Sequence, residues 1–293
     1  MLNILSILFF STIRSATPLI FPALGGTFSE KSGVVNIGLD GMMAVGAFSA
    51  VLISYKTESP WLGLFGAMIV GGLFGLLLAF LSIYFKANQV VVGTAINILA
   101  ASLTTFLLVE IWGKPGQTDN VSYFTPWGPF NMFTYLAFIL VVISYFVLYK
   151  TAFGLRIRSV GEHPRAADTL GVNVYLVRYI CVTLSGVLAG IGGASLSIGS
   201  ISLFKEGMVA GRGFIALAAM IFGKWHPIGA ALACLFFGLA DAIQTISMSF
   251  GLNVPKEFLF ALPYIMTMLA VSGIIGKAIA PAASGVPYDK GEK

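Results

Sequence analysis

The chain has very little charge. Only 10% of its 293 residues are Asp, Glu, Lys or Arg, where a soluble domain carries roughly 25%. So few cannot cover a water-facing surface, which excludes an ordinary soluble globule. Two cysteines, Cys181 and Cys234, both sit in apolar stretches and exclude a disulfide framework. His163 and His226 are isolated, without a Cys/His cluster, so no metal site is expected. No hydrophilic run is long enough for a second folded domain. The chain contains no G-x-x-x-x-G-K-[ST] and so holds no ATP through a P-loop. It also lacks H-E-x-x-H and G-x-S-x-G, the marks of zinc and serine hydrolases. An enzyme is not expected, nor a cofactor bound by this chain. The net charge of +5 lies largely in short loops and is no signal of a nucleic-acid partner.

What is present is apolar. Hydrophobic residues make up 57% of the chain, with 34 Gly and 24 Phe; Gly is frequent in membrane helices and lets them approach closely. Apolar segments fall at 5–25, 38–55, 61–85, 90–112, 131–149, 174–199, 212–223, 226–246 and 258–280. The expected fold is all-α: one polytopic transmembrane domain over 1–293 with about nine crossings of roughly 20 residues each. Eight to ten are allowed. The first segment lacks a positive start, Arg14 comes late, and it reads as a retained helix rather than a signal peptide.

Loop charge sets the orientation. The loop after Lys150 holds Arg156, Arg158 and Arg165, with Arg178 just beyond; residues 113–130 are poor in basic groups. The Lys/Arg bias places 150–173 in the cytoplasm. Counting from there puts Lys86, Lys277, Lys290 and Lys293 inside, and Lys56 and the N-terminus outside. Two stretches, 22–41 and 200–213, are Gly-rich and charged. Either fits a broken or re-entrant helix. Irregular backbone at membrane depth survives only in protein or beside a cavity, and one break per half suggests a substrate path. Ordinary loops are the alternative.

The loop has a local grammar. Pro164 suits the first turn of a helix, and Gly171 suits the left-handed position after its end. Ala166, Ala167 and Leu170 fall on one face. Such a helix, about two turns long and bracketed by arginines, suits docking on another protein; a solvated loop that only orients the chain is the alternative. Elsewhere ionisable groups are few: Glu110 and Asp241 lie toward helix ends, and Arg14 either snorkels or faces a protein-lined cavity. No Asp/Glu/His relay is visible, which weakens an ion-coupled transporter.

Four motifs carry a family resemblance: Glu30-Lys-Ser-Gly-Val-Val-Asn-Ile-Gly-Leu-Asp-Gly-Met-Met43, Gly154-Leu-Arg-Ile-Arg-Ser-Val-Gly-Glu-His-Pro-Arg-Ala-Ala-Asp168, Ser185-Gly-Val-Leu-Ala-Gly-Ile-Gly-Gly-Ala194 and Gly211-Arg-Gly-Phe-Ile-Ala-Leu-Ala-Ala-Met-Ile-Phe-Gly-Lys-Trp225. In this order they resemble ABC-importer permeases of the branched-chain amino acid/simple-sugar superfamily. The resemblance is nearest to the shorter permease of bacterial nucleoside importers. Ribose permeases are more distant and carry an extra N-terminal helix not seen here.

The resemblance implies a bacterial inner-membrane subunit paired with a second, different permease. It implies an extracellular substrate-binding lipoprotein of the Bmp type, and a cytoplasmic ATPase that carries the ATP and Mg. It assigns coupling to Arg156, Arg158, Gly161, Glu162, His163, Pro164, Arg165, Ala166, Ala167, Leu170 and Gly171. A simple-sugar permease, an ion-coupled transporter and a membrane scaffold stand as alternatives.

For the path, the candidates are Asn36, Asp40, Asn97 and Arg212. Asn36 contacts substrate hydroxyls or caps a broken helix. Asp40 pairs with Lys31 or Arg14, or lines the path. Asn97 lines the path or makes an interhelical hydrogen bond. Arg212 orients the second break or is a membrane-edge charge. Gly71-x-x-x-Gly75 and Gly186-x-x-x-Gly190 are expected to be packing seams.

Overall fold

The computed structural model describes residues 2–249 and 279–290. Among them are ten α-helices and no strand. They are α1 (Leu2–Lys31), α2 (Leu39–Thr57), α3 (Pro60–Ala79), α4 (Gln89–Trp112), α5 (Met132–Lys150), α6 (Ala152–Glu162), α7 (Pro164–Thr169), α8 (Val174–Leu196), α9 (Arg212–Phe222) and α10 (Pro227–Ser249). Wider π-turns extend α3 over Phe80–Tyr84 and α8 over Ser197–Ile201.

Polar residues punctuate the apolar runs. Pro60 opens α3. Asn88, Asn131, Thr151 and Asn173 each accept a backbone N–H of the first turn of α4, α5, α6 and α8, satisfying donors a helix start leaves free.

Among the described residues, six helices are long and apolar enough to cross a bilayer: α1, α3, α4, α5, α8 and α10. The chain is a multi-pass membrane protein. Helix α2 has 19 residues but is mostly buried among other helices. Helix α9 has 11, about 16 Å of rise, too short for a hydrocarbon core of roughly 30 Å. Eight of the nine expected apolar segments are therefore helices, one of them half-length. The ninth, 258–280, falls almost wholly outside the described residues, as do Lys277 and Lys293.

The two faces of the bundle follow from contacts. Arg14 Nη2 donates to Pro129 O at 2.7 Å, and Ser54 Oγ donates to Ser122 O at 2.6 Å. The start of α1 and the end of α2 thus share a face with 113–131. On the opposite, basic face lie the 150–173 loop, Lys86 with Asp289, and Lys290 3.3 Å from Asp168. The first half of α1 lies opposite the basic loop, as counting through the loops predicts.

The centre is α1, α2, α3 and α8. At the α3–α8 crossing, a Cβ on Gly75 would stand 2.8 Å from Val182 O, and one on Gly71 would overlap Gly186 O. The two glycine pairs are backbone-to-backbone seams, as expected.

Two expectations are corrected. The first break is narrower than 22–41: α1 continues through Gly25 and Gly26 to Lys31, and only 32–38 is irregular. Those glycines are packing positions, since a Cβ on Gly25 would lie 2.8 Å from Ser185 O. Residues 152–162 are not loop but the helix α6, which buries Gly154, Ile157, Val160 and Gly161. The second break runs through 202–211 and then into α9.

Candidate functional site

The two breaks meet inside the bundle. Asn36, 1% exposed, donates through Nδ2 to Ser185 Oγ at 2.9 Å, and its Oδ1 accepts from Gly38 N at 3.0 Å. It acts as a turn-former locked to α8; α2 has no side-chain cap at its start. Asn97 clamps the same break from α4: Nδ2 donates to Ile37 O at 3.0 Å and Oδ1 accepts from Gly41 N at 2.8 Å. Both amides are satisfied within the protein. Asn97 lies eight residues into α4, about 12 Å of rise, so this polar belt is inside the membrane rather than at its edge.

Asp40 pairs with neither Lys31 nor Arg14. Its Oδ1 accepts from Gly213 N at 2.9 Å, tying the start of α2 to the start of α9. A Cβ on Gly213 would overlap the Asp40 backbone. Arg212 points back along its own approach: Nη1 donates to Met208 O at 3.0 Å, and Nη2 lies 4.0 Å from Asp241. It holds the second break in shape.

Above the Asp40–Gly213 junction, toward the 113–131 face, is a cavity of about 240 Å³, walled by Asp40, Thr104, Thr105, Phe204, Glu206 and Val209. Thr105 Oγ1 donates to Glu206 Oε1 at 3.0 Å. Lys205, Glu206, Gly207 and Ala210 are exposed around it. Backbone of this kind cannot face lipid; it must line water or meet another protein. Helix α4, on the same side, is the least buried of the six spans. Thr104 and Thr105 are not singled out in the sequence, where their only signal is hydroxyls embedded in apolar helices; Ser185 opens the third motif.

At the basic face the foreseen short helix is present. Pro164 stands in the first turn of α7, and Gly171 has φ +83° just past its end, a conformation costly for a residue with a Cβ. Glu162, His163, Arg165, Ala166 and Arg156 are exposed. The expected apolar face is corrected: Ala167 is 2% exposed and turned inward, whereas Leu170 is 85% exposed. Two turns of helix cannot bury residues on both sides of its own axis.

Gly161 connects this loop to α1, because a Cβ there would overlap the Lys31 carbonyl. One residue earlier on α1, Glu30 accepts from Trp225 Nε1 at the α9–α10 corner, both residues 4% exposed. Beside them the Arg158 guanidinium lies 5.1 Å over the Tyr149 ring, which also faces His226 at 4.9 Å. Burial holds the His226 imidazole below its ordinary pKa, with nearby Lys31 acting in the same direction. Glu30, Trp225 and His226 were not foreseen as one group. No triad or larger group of His, Cys, Asp or Glu among the described residues could hold a metal ion.

Residues 8–271 match the family described as branched-chain amino acid transport system / permease component. The guanosine ABC transporter permease protein NupQ of Bacillus subtilis is 46% identical, over 99% of each chain. The nucleoside ABC transporter permease protein NupC of Lactococcus lactis is 41% identical, over 98% of each. A second B. subtilis guanosine permease, NupP, is 26% identical over 91% of this chain and 83% of its own.

Proposed function

The chain belongs to the permease-component family of branched-chain amino acid transport systems, and from that premise we propose that it is a permease subunit of a nucleoside ABC importer in the bacterial inner membrane. The observation that carries the pathway is the junction of the two breaks. Irregular, polar backbone at 202–211 leads into α9, whose Gly213 meets Asp40 at membrane depth. Lipid does not accept such backbone, and paired breaks are where transporters hold substrate.

The substrate class rests on the relatives, which match over almost the whole chain. Threonine hydroxyls and carboxylates around the cavity suit a neutral solute rich in hydroxyl and N–H donors. The second permease, a homologous chain, covers α4 and the 205–212 strip. Asn36 and Asn97 hold the wall of the path in place, and Asp40 and Arg212 shape the path where α2 meets α9.

The energy comes from a separate ATPase on the cytoplasmic face. It docks on α7 and its approaches: Arg156, Arg158 and Glu162 at the end of α6, then His163 to Gly171. Exposed arginines and an exposed Leu170 are a docking pattern. Gly161 passes motion to the end of α1. An extracellular lipoprotein delivers the nucleoside to the 113–131 face.

The test is reconstitution of the complete importer in proteoliposomes, with ATP hydrolysis and uptake measured for nucleosides and for simple sugars. Nucleosides are expected to stimulate both. Stimulation by sugars alone, or uptake by this chain without an ATPase, overturns the reading.

A further inference from the structure

Residues 281–290 run back across the basic face as a strap. Ala283 N–H donates to Gly161 O at 2.9 Å, and Gly285 N–H to Gly33 O at 3.2 Å. Ala282 N–H donates to Glu162 Oε2 at 3.3 Å. Asp289 pairs with Lys86, ahead of α4, and Lys290 Nζ lies 3.3 Å from Asp168 on α7. One short segment is thus bonded to α6, α7, the first break and the α3–α4 turn.

Arg178 pins it from below. The side chain is 2% exposed. Its Nε donates to Ser32 O at 3.2 Å and its Nη1 to Val286 O at 3.1 Å. Nη2 has no partner among the described residues; no salt bridge reaches this guanidinium there either. A buried charge without a counter-ion is a costly way to hold two loops together, and an apolar side chain would commonly do as well or better for stability alone. What a guanidinium offers is a rigid planar fork. One tine holds the strap and the other holds the break, so the two carbonyls move together.

Between α7 and the strap lies a groove of about 470 Å³, walled by Glu162, His163, Pro164, Arg165, Tyr288 and Asp289. A protein docked on α7 would face both walls of this groove.

We propose that residues 281–290 are a transmission strap and that Arg178 is its positioning residue. Displacement of α7 passes through the strap and the guanidinium to the Ser32 carbonyl. From there it reaches the 32–38 break that presents Asn36 and leads into Asp40. This route runs beside the direct Gly161–Lys31 contact, and it rests on the reading of α7 as the ATPase-docking element.

The test uses the complete importer in proteoliposomes, with substrate moved per ATP hydrolysed as the readout. Three variants are compared: Arg178→Met, which removes both donors; Arg178→Lys, which keeps a charged donor; and Ala283→Pro, which removes the N–H given to Gly161. Arg178→Met and Ala283→Pro are expected to keep the ATPase bound and hydrolysing while substrate moved per ATP falls at least about fivefold, the lower end of measured site-to-site couplings. Arg178→Lys restores part of the loss. Substrate moved per ATP within about twofold of the unaltered importer in both variants overturns the proposal. Loss of the ATPase from the complex, or failure of both variants to accumulate folded, also overturns it and makes the strap a docking or folding element. Failure of the docking reading is distinguishable: a chain changed only in α7, with the strap and Arg178 intact, then holds its ATPase as well as the original, and the proposal falls with it.

Discussion

The Oδ1 atom of Asp40 accepts the backbone N–H of Gly213 at 2.9 Å, joining two helix starts 173 residues apart. Asp40→Ala leaves that N–H unpaired, a cost of about 1–3 kcal/mol, whereas Asp40→Asn retains an acceptor and loses less. Gly213→Ala drives a Cβ into the Asp40 backbone and is expected to lower folded yield and abolish uptake. Thermal unfolding in detergent, read beside uptake, checks the series. An unchanged midpoint in Asp40→Ala means that the bond contributes nothing.

Glu30 and Trp225 form a second long-range bond, with both partners almost wholly buried. Removing the indole donor in Trp225→Phe leaves a buried carboxyl group without its donor. The expected loss is about 1–3 kcal/mol, the range for a buried polar group left unpaired. Glu30→Gln is expected to be milder, and the double variant less costly than the sum of the singles. Additive losses in a double-mutant cycle would show that the pair does not interact.

Glycines at two places are required for different reasons. Gly186→Ala pushes a methyl into Gly71 on the facing backbone, and overpacking of this kind costs about 1–3 kcal/mol. Gly171 has open space around it but a left-handed backbone. Gly171→Asn should be nearly silent, and Gly171→Ala should cost about 1–2 kcal/mol. An unfolding midpoint for Gly186→Ala as high as that for Gly171→Asn would contradict the seam.

Leu170 is 85% exposed at the end of α7. Leu170→Asp is expected to leave stability within about 0.5 kcal/mol of the original. Recovery of the ATPase on the purified permease should fall about tenfold or more, the scale of one interface hot spot. Full recovery would remove Leu170 from the docking surface.

Local signals were the legible ones. Pro164 and Gly171 mark the ends of α7 because a cap is decided within a few residues, and the structure places both as expected. Helix α6 was hidden because Arg156 and Arg158 interrupt its apolar residues, though Thr151 and the spacing of Ile157 and Val160 were there to be used. Gly25 and Gly26 misled about the first break. In a membrane bundle a glycine signals close approach as often as a bend, and only Ser185, far away in sequence, decides which.

Distant pairings were illegible for the same reason. Asn36, Asp40 and Asn97 could be recognised as unusual polar residues, but their partners Ser185, Gly213, Ile37 and Gly41 come from three-dimensional packing. Arg178 stands one turn into α8, where an arginine resembles any membrane-edge charge. Its burial between Ser32 and Val286 becomes visible only once the strap is in place.

The irregular strip from Lys205 to Arg212 has a consequence for how the protein is made. In a copy inserted without a counterpart, the exposed Lys205, Glu206, Gly207 and Ala210 meet the bilayer instead of protein, and irregular polar backbone is not tolerated against lipid. The bilayer therefore disfavours an orphan subunit before any proofreading factor acts. On the proposed pairing, stoichiometry between the two halves should be set during insertion rather than afterward.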